Sequence, residues 1–263
     1  MEHTDLLIDA LDCARRAGAV VMSYFRSPAA LDIRTKLGDA DIVTAADRAS
    51  ETLIKDFIRT RYPSHSILSE ESGEDRREGG YRWVIDPLDG TTNFSAGLPI
   101  WSISIGIEHD GHTEIGIVFA PYLNEMFHAV RGQGAYLNGE PIKVAGPCRL
   151  SQAVVSTGFP VDKLDNPDNN LDNFKRVMPQ VRGIRRLGSA AVDMSYVAAG
   201  FLNAFWEINL HEWDVNAASL IVTEAGGKVT RFREDRNVSL LCGSPSAHDE
   251  ILPLLATTRY LPQ

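Results

Sequence analysis

Apolar residues recur at helical spacing from Thr4 to about Arg26, at Leu7, Leu11, Ala14, Gly18, Val21, Met22 and Phe25. That period predicts an amphipathic helix, which Thr4 or Asp5 can start and Ser27-Pro28 ends. The next stretch, DIRTKLGDADIV, is polar with two short apolar points. It predicts a hairpin or loop around Gly38, with Lys36, Asp39 and Asp41 in solvent. A second helix is expected from Thr44-Ala45-Ala46-Asp47 to about Tyr62, burying Leu53, Ile54, Phe57 and Ile58. Thr44 and Asp47 have nearly the spacing of a capping box, with Asp in place of Glu, so Asp47 can be read as a plain helix cap. Ser66–Ser69 predicts a short strand ending in Glu70-Glu71, and residues 72–80 (SGEDRREGG) a polar surface loop.

Farther on, the pattern favours strands. Trp101–Glu108 and Thr113–Ala120 are β-rich runs joined at Asp110-Gly111, a hairpin signal. Met126–Val130, Ala135–Leu137 and, after the turn Asn138-Gly139, Ile142–Val144 extend a largely antiparallel sheet. Residues 145–151 (AGPCRLS) connect two halves without a shift in composition. The chain therefore reads as a single domain over 1–263, with possible sub-halves 1–145 and 146–263. In the second half, strands are expected at Ala153–Ser156, Asn203–Ile208, Lys228–Arg231 and Leu240–Cys242. Helices are expected over Asp168–Met178, from Ser189 to about Ala199, from Val215 to about Ala225, and from Ser246 to about Ala256. Gly226-Gly227 stops the third of these. Strands and helices interspersed in this way give an α+β fold class.

Composition changes this picture little but narrows the partners. Of 263 residues, 44% are hydrophobic and 23% charged, as in an ordinary globular protein. The net charge of −9 leaves no basic stripe to neutralise a phosphate backbone, so nucleic acid is not an expected partner. Three scattered cysteines without a CxxC pair fit a reducing cytosol. No apolar run is long enough to span a bilayer and the N-terminus is acidic, so a cytoplasmic protein without a membrane partner is expected.

The chemistry centres on Trp83–Phe94, WVIDPLDGTTNF. The apolar run Trp83-Val84-Ile85 predicts the end of a buried strand, and Pro87 predicts that the strand stops and turns there. Asp86 and Asp89 can then converge on one point with a main-chain carbonyl between them, an all-oxygen set suited to a hard divalent cation. Gly90-Thr91-Thr92 can open a short helix whose free N–H groups suit a phosphate, and Gly188-Ser189 offers a second helix start. With only backbone N–H groups capped, the same stretch would be an ordinary turn. Asp47, Glu70, Asp86, Asp89 and Asp214 all fall at element ends. Together they would form a carboxylate cluster whose repulsion calls for cations. Two metals about 3.5–4 Å apart can activate a water for displacement at phosphorus, which describes a metal-dependent phosphatase.

The combination of Asp47, Glu70-Glu71, DPLDGTTNF (86–94) and WDVNAASLIVTEAGG (213–227) resembles the inositol monophosphatase family over almost the whole chain. The resemblance implies a layered αβαβα sandwich, usually a homodimer. It also implies magnesium as cofactor (two or three ions per site) and lithium as inhibitor. By position, Glu70, Asp86, Asp89, Asp214 and the carbonyl of Leu88 would hold metal. Asp47 and Thr91 would orient the attacking water, with Glu70 also catalytic. Gly90 and Thr91 would hold the phosphate, while Gly188, Ser189, Ala190 and Glu207 would face a polyol. Asp89 and Asp214 would touch substrate as well.

The family implies hydrolysis of a small phosphorylated polyol. Asn93-Phe94 and the Glu207 position favour inositol 1-phosphate, since a carboxylate accepts hydrogen bonds from vicinal hydroxyls. Fructose 1,6-bisphosphate, histidinol phosphate and adenosine 3′,5′-bisphosphate are alternative substrates. Glu212, where many relatives carry a smaller or less charged residue, would add negative charge near the pocket, and the basic run Arg182–Arg186 could serve a second phosphate. Two readings of other kinds remain. One is a haloacid-dehalogenase-like phosphatase, whose DxDGT has carboxylates two apart where these are three apart. The other is a non-catalytic regulatory protein that binds metal or a partner.

Overall fold

The computed structural model describes residues 2–27, 31–35 and 42–256. Lys36, Gly38, Asp39 and Asp41 lie outside them, as does Pro28. The first half comprises α1 (Glu2–Tyr24), β1 (Arg34–Thr35), β2 (Ile42–Val43), α2 (Ala45–Arg61), β3 (Ser66–Ser69), β4 (Gly73–Asp75) and β5 (Tyr81–Asp89). It continues with α3 (Thr91–Ser95), β6 (Ser102–His109), β7 (His112–Ala120), β8 (Glu125–Val130), β9 (Ala135–Leu137) and β10 (Glu140–Ile142). The second half comprises β11 (Val154–Thr157), α4 (Leu171–Val177), β12 (Gly183–Arg185), α5 (Ala190–Ala198) and β13 (Ala204–Leu210). It ends with α6 (Glu212–Glu224), β14 (Lys228–Arg233), β15 (Val238–Gly243) and α7 (Pro245–Ile251).

Strands β3–β10 form an eight-stranded sheet in the order β10-β9-β8-β7-β6-β5-β3-β4, and five more form a second sheet, β12-β11-β13-β15-β14. In the first, only β3 and β5 run parallel. One face of it, with Trp83, Ile85, Ile103, Ile105, Ile107, Ile115 and Ile117, packs on α1 and α2. The other face, with Val118, Phe127 and Ala129, shares a core with α5, α6 and the near side of the second sheet, including Phe205, Leu240 and Cys242. The far side of the second sheet buries Trp206, Ile208 and Leu241 against Val177 and Ile251 of α4 and α7. The result is the five-layer αβαβα sandwich.

Two strand expectations need correction. Residues 72–80 are not wholly a loop, because β4 pairs antiparallel with β3. Pro87 does not end β5, which runs through it to Asp89. The register shifts between the pairs Asp86↔Ser104 and Asp89↔Ser102, placing three steps on β5 against two on β6. A proline is tolerated in such a bulge because the extra residue there is not part of the hydrogen-bonded ladder. Among the described residues no helix is long and apolar enough to cross a membrane.

Candidate active site

In a regular strand, residues three apart point to opposite faces. The extra residue in the β5 bulge corrects for this and brings Asp86 and Asp89 to the same side. Asp214, from the first turn of α6, meets them there, with ligand oxygens of all three within 4.8 Å of one another. Asp86 and Asp89 are buried. Burial drives the Asp86 carboxyl well above its ordinary range, and the charges of Glu70, Asp89 and Asp214 drive it in the same direction. Burial, with Asp214 beside it, pushes Asp89 up to about 7. Oxygen donors crowded this closely fit a divalent cation.

Each carboxylate is held from outside the cluster. Asp86 Oδ1 accepts the Leu88 N–H at 3.0 Å. Asp89 Oδ2 accepts the Ala191 N–H at 2.9 Å and the Ser189 hydroxyl. Asp214 Oδ2 accepts the His211 N–H at 2.6 Å, closing the capping box of α6. At the helix start after Gly188, the Ser189 hydroxyl and the Ala191 N–H are both turned to Asp89.

Beside the cluster, Gly90 has φ of +92°, a left-handed conformation that turns the chain sharply into α3. Thr91 follows, and its hydroxyl donates to Asp47 Oδ1 at 2.9 Å while also lying 3.0 Å from the Leu88 carbonyl. The other oxygen of Asp47 takes the Thr44 N–H at 2.8 Å and the Thr44 hydroxyl at 2.5 Å. Asp47 is therefore both the helix cap and the partner of Thr91. Burial pushes its carboxyl up, against the hydrogen bonds from Thr44 and Thr91. Helix α2 is tied to the bulge a second time, since buried Ser50 donates to the Pro87 carbonyl at 2.8 Å.

A cavity of about 320 Å³ opens from the cluster, lined by Glu70, Glu207, Asp214, Trp213, His211 and the segment Phe159-Pro160-Val161 among others. Glu70 thus adjoins the three carboxylates, although it is outside the group whose oxygens lie within 4.8 Å. Glu207 is pushed up to about 8 by burial, which the nearby Arg186 charge opposes. Arg186 follows edge strand β12 directly, so the basic run acts on this cavity through one member. The Glu212 carboxylate engages Arg82, which it shares with Glu108 and Glu74.

Sequence reasoning missed Ser50, the Phe159–Val161 wall and Asp193. The last had a visible signal, a lone acid in the apolar helix AAVDMSYVA. Ser50 had none, since its partner lies 37 residues away.

Comparisons with known proteins find relatives along nearly the whole chain. The chain is 47% identical over 230 residues to "Nus factor SuhB" of Pseudomonas aeruginosa, covering 85% of this chain and 84% of the relative. It is 37% identical over 253 residues to "Inositol-1-monophosphatase" of Mesorhizobium japonicum, covering 96% and 94%. Among solved structures, the inositol monophosphatase of Anabaena superposes with a TM-score of 0.85 at 35% identity, covering 97% and 96% of the two chains. The extragenic suppressor protein SuhB of Bartonella henselae gives 0.88 at 35% identity, covering 95% and 98%. The family model matches residues 3–259, and the chain belongs to the inositol monophosphatase family.

Proposed function

We infer that this chain is a Mg²⁺-dependent phosphomonoesterase acting on a small polyol phosphate, with inositol 1-phosphate the leading substrate. The observation that carries the reading is the convergence of Asp86, Asp89 and Asp214 beside the Thr91–Asp47 hydrogen bond. The buried, mutually repelling carboxylates suit Mg²⁺, with Glu70 and the Leu88 carbonyl completing the ligand set. Bound there, Mg²⁺ would lower the pKa of a water and offset charge on the phosphoryl oxygens.

The residues of the chain supply direction. Thr91 has one hydroxyl proton, and Asp47 Oδ1 receives it. The lone pairs of Thr91 are then free to accept a hydrogen bond from a water and orient it toward phosphorus. As that water attacks phosphorus the ester P–O bond breaks, the water's proton passes to Thr91 and the Thr91 proton to Asp47, whose raised pKa makes it a better base, and the departing alkoxide takes a proton from solvent. Asp47 cannot swing away, because its second oxygen is fixed by Thr44. First-turn N–H groups at Gly90-Thr91 receive phosphate oxygens, and Glu207 with the main chain of Gly188–Ala190 receives substrate hydroxyls.

The test is phosphate release, with and without Mg²⁺, from inositol 1-phosphate, fructose 1,6-bisphosphate, histidinol phosphate and adenosine 3′,5′-bisphosphate. Mg²⁺-dependent release greatest from inositol 1-phosphate is expected, and Asp89→Asn should abolish it while leaving the fold intact. No release from any of the four would overturn the reading. The name of the Pseudomonas relative supports a second role for this chain, as a Nus factor. An Asp86→Asn variant that releases no phosphate yet sustains the function in cells would separate that role from catalysis.

A further inference from the structure

Asp86 and Asp89 belong to β5 and Asp214 to α6, so the cluster exists only while the start of α6 stays close to that strand. Like charge among these carboxylates favours separation of the two. The residues opposing this separation lie on the same sheet face. Side chains alternate along β5, so Arg82, Val84 and Asp86 all face α6. Arg82 stands opposite Glu108 of β6 in the antiparallel register, and its Nε donates to Glu108 Oε2 at 2.9 Å. Its Nη1 is 3.6 Å from Glu74 of β4, and its Nη2 donates to Glu212, the first residue of α6. The second oxygen of Glu108 accepts from Asn216 Nδ2 at 2.7 Å, one turn along the same helix. Ser104 of β6 adds a bond to the Trp213 carbonyl at 3.3 Å.

One guanidinium therefore joins three strands to the N-terminus of α6, two residues before Asp214. Partly exposed ion pairs contribute little stability, so the significance of this network is geometric. We propose that Arg82 is a positioning residue for the metal site: by holding Glu212 against β5 it fixes the first turn of α6 and keeps Asp214 within reach of Asp86 and Asp89. The inference rests on the metal-site reading above and adds to it the element that assembles the site.

Electrostatics and positioning make opposite predictions for one variant. Arg82 is four strand residues from Asp86, about 13 Å. Removing its positive charge would, by charge alone, tighten the binding of a cation. Loss of positioning would weaken it. The measurement is Mn²⁺ binding to the full-length protein by electron paramagnetic resonance titration, with circular dichroism as the check on folding. Arg82→Gln is expected to raise the Mn²⁺ dissociation constant about tenfold, the usual scale for groups that orient a ligand. At saturating Mg²⁺, kcat should stay within about twofold, because the catalytic groups are untouched.

Glu212→Ala and Glu212→Gln give an independent reading should Arg82→Gln not fold. Both remove the same charge, but Gln still accepts a hydrogen bond from the guanidinium. Positioning therefore predicts weakened Mn²⁺ binding for Ala and near-normal binding for Gln. Unchanged or tighter binding in Arg82→Gln, or equal losses in Ala and Gln, would overturn the clamp while leaving the metal site standing. No Mn²⁺ binding by the unsubstituted protein would overturn the metal site and the clamp with it.

Discussion

Asp193 is the only acid in α5, it is 2% exposed, and its Oδ1 has no hydrogen-bond partner. Burial pushes its carboxyl up to about 8, and the nearby Asp89 charge adds to the push. A pKa raised above the unfolded value of about 3.9 stabilises the folded state fully below pH 4. That contribution is lost as pH rises through the folded value. Asp193→Asn removes the loss, so the melting temperature of the variant should exceed that of the unsubstituted protein increasingly between pH 5 and pH 9. At about 1.4 kcal/mol per pH unit between pH 5 and the folded value and about 2–4 °C per kcal/mol for a chain of this size, about 8–16 °C is expected at the alkaline end. Paired thermal scans across that range provide the check, and a constant difference would show that Asp193 is already ionised. Asp47 illustrates how much was legible at this scale. The Thr44–Asp47 spacing pointed to a helix cap and the family pattern to a water-orienting acid. In the structure one of its oxygens caps α2 through Thr44 and the other accepts the Thr91 hydroxyl. The Ser189 hydroxyl on Asp89 was not legible, because nothing local to either residue indicates a bond across a hundred positions.

Helix α6 reaches the large sheet at two glycines. A methyl group on Gly116 would run into the Ala217 carbonyl, which is rigid backbone. One on Gly106 would meet the Asn216 side chain first, which can rotate away. Gly116→Ala should therefore cost about 1–3 kcal/mol, as overpacked cores do, and should also weaken Mg²⁺ binding by displacing the helix that carries Asp214. Gly106→Ala should be milder in stability, losing mainly the Asn216 bonds to Glu108 and Thr113. Denaturant unfolding of the two variants distinguishes these outcomes, and the reverse ranking would contradict the packing argument. Element identities were largely legible from periodicity, since α1, α2 and the β6–β7 hairpin lie where the apolar pattern put them. The β5 bulge was not. Proline normally marks the end of a strand, and only the register against β6 shows that the extra residue turns the break into a feature aligning two carboxylates. β4 was hidden because its three residues are polar and its pairing with β3 supplies the order.

At the scale of the molecule, the five-layer arrangement came from the family resemblance, because periodicity alone does not say which sheet a helix covers. The layers carry a consequence for the possible sub-halves 1–145 and 146–263. The middle helices α5 and α6 belong to the second half yet cover Val118, Phe127 and Ala129 of the first sheet. The candidate metal site is divided in the same way, with Asp86 and Asp89 in one half and Asp214 in the other. A fragment of residues 1–145 would leave one face of its sheet bare and lack a ligand. It is therefore expected to aggregate or to give a collapsed NMR spectrum, and to bind no Mg²⁺. The whole chain should instead unfold in one transition whose midpoint rises with Mg²⁺, since a ligand at a hundred times its dissociation constant adds about 2.7 kcal/mol. A dispersed spectrum from the fragment, or two transitions of which Mg²⁺ moves only one, would mean that the halves fold separately. The shared helical layer would then be an interface between them instead of a common core.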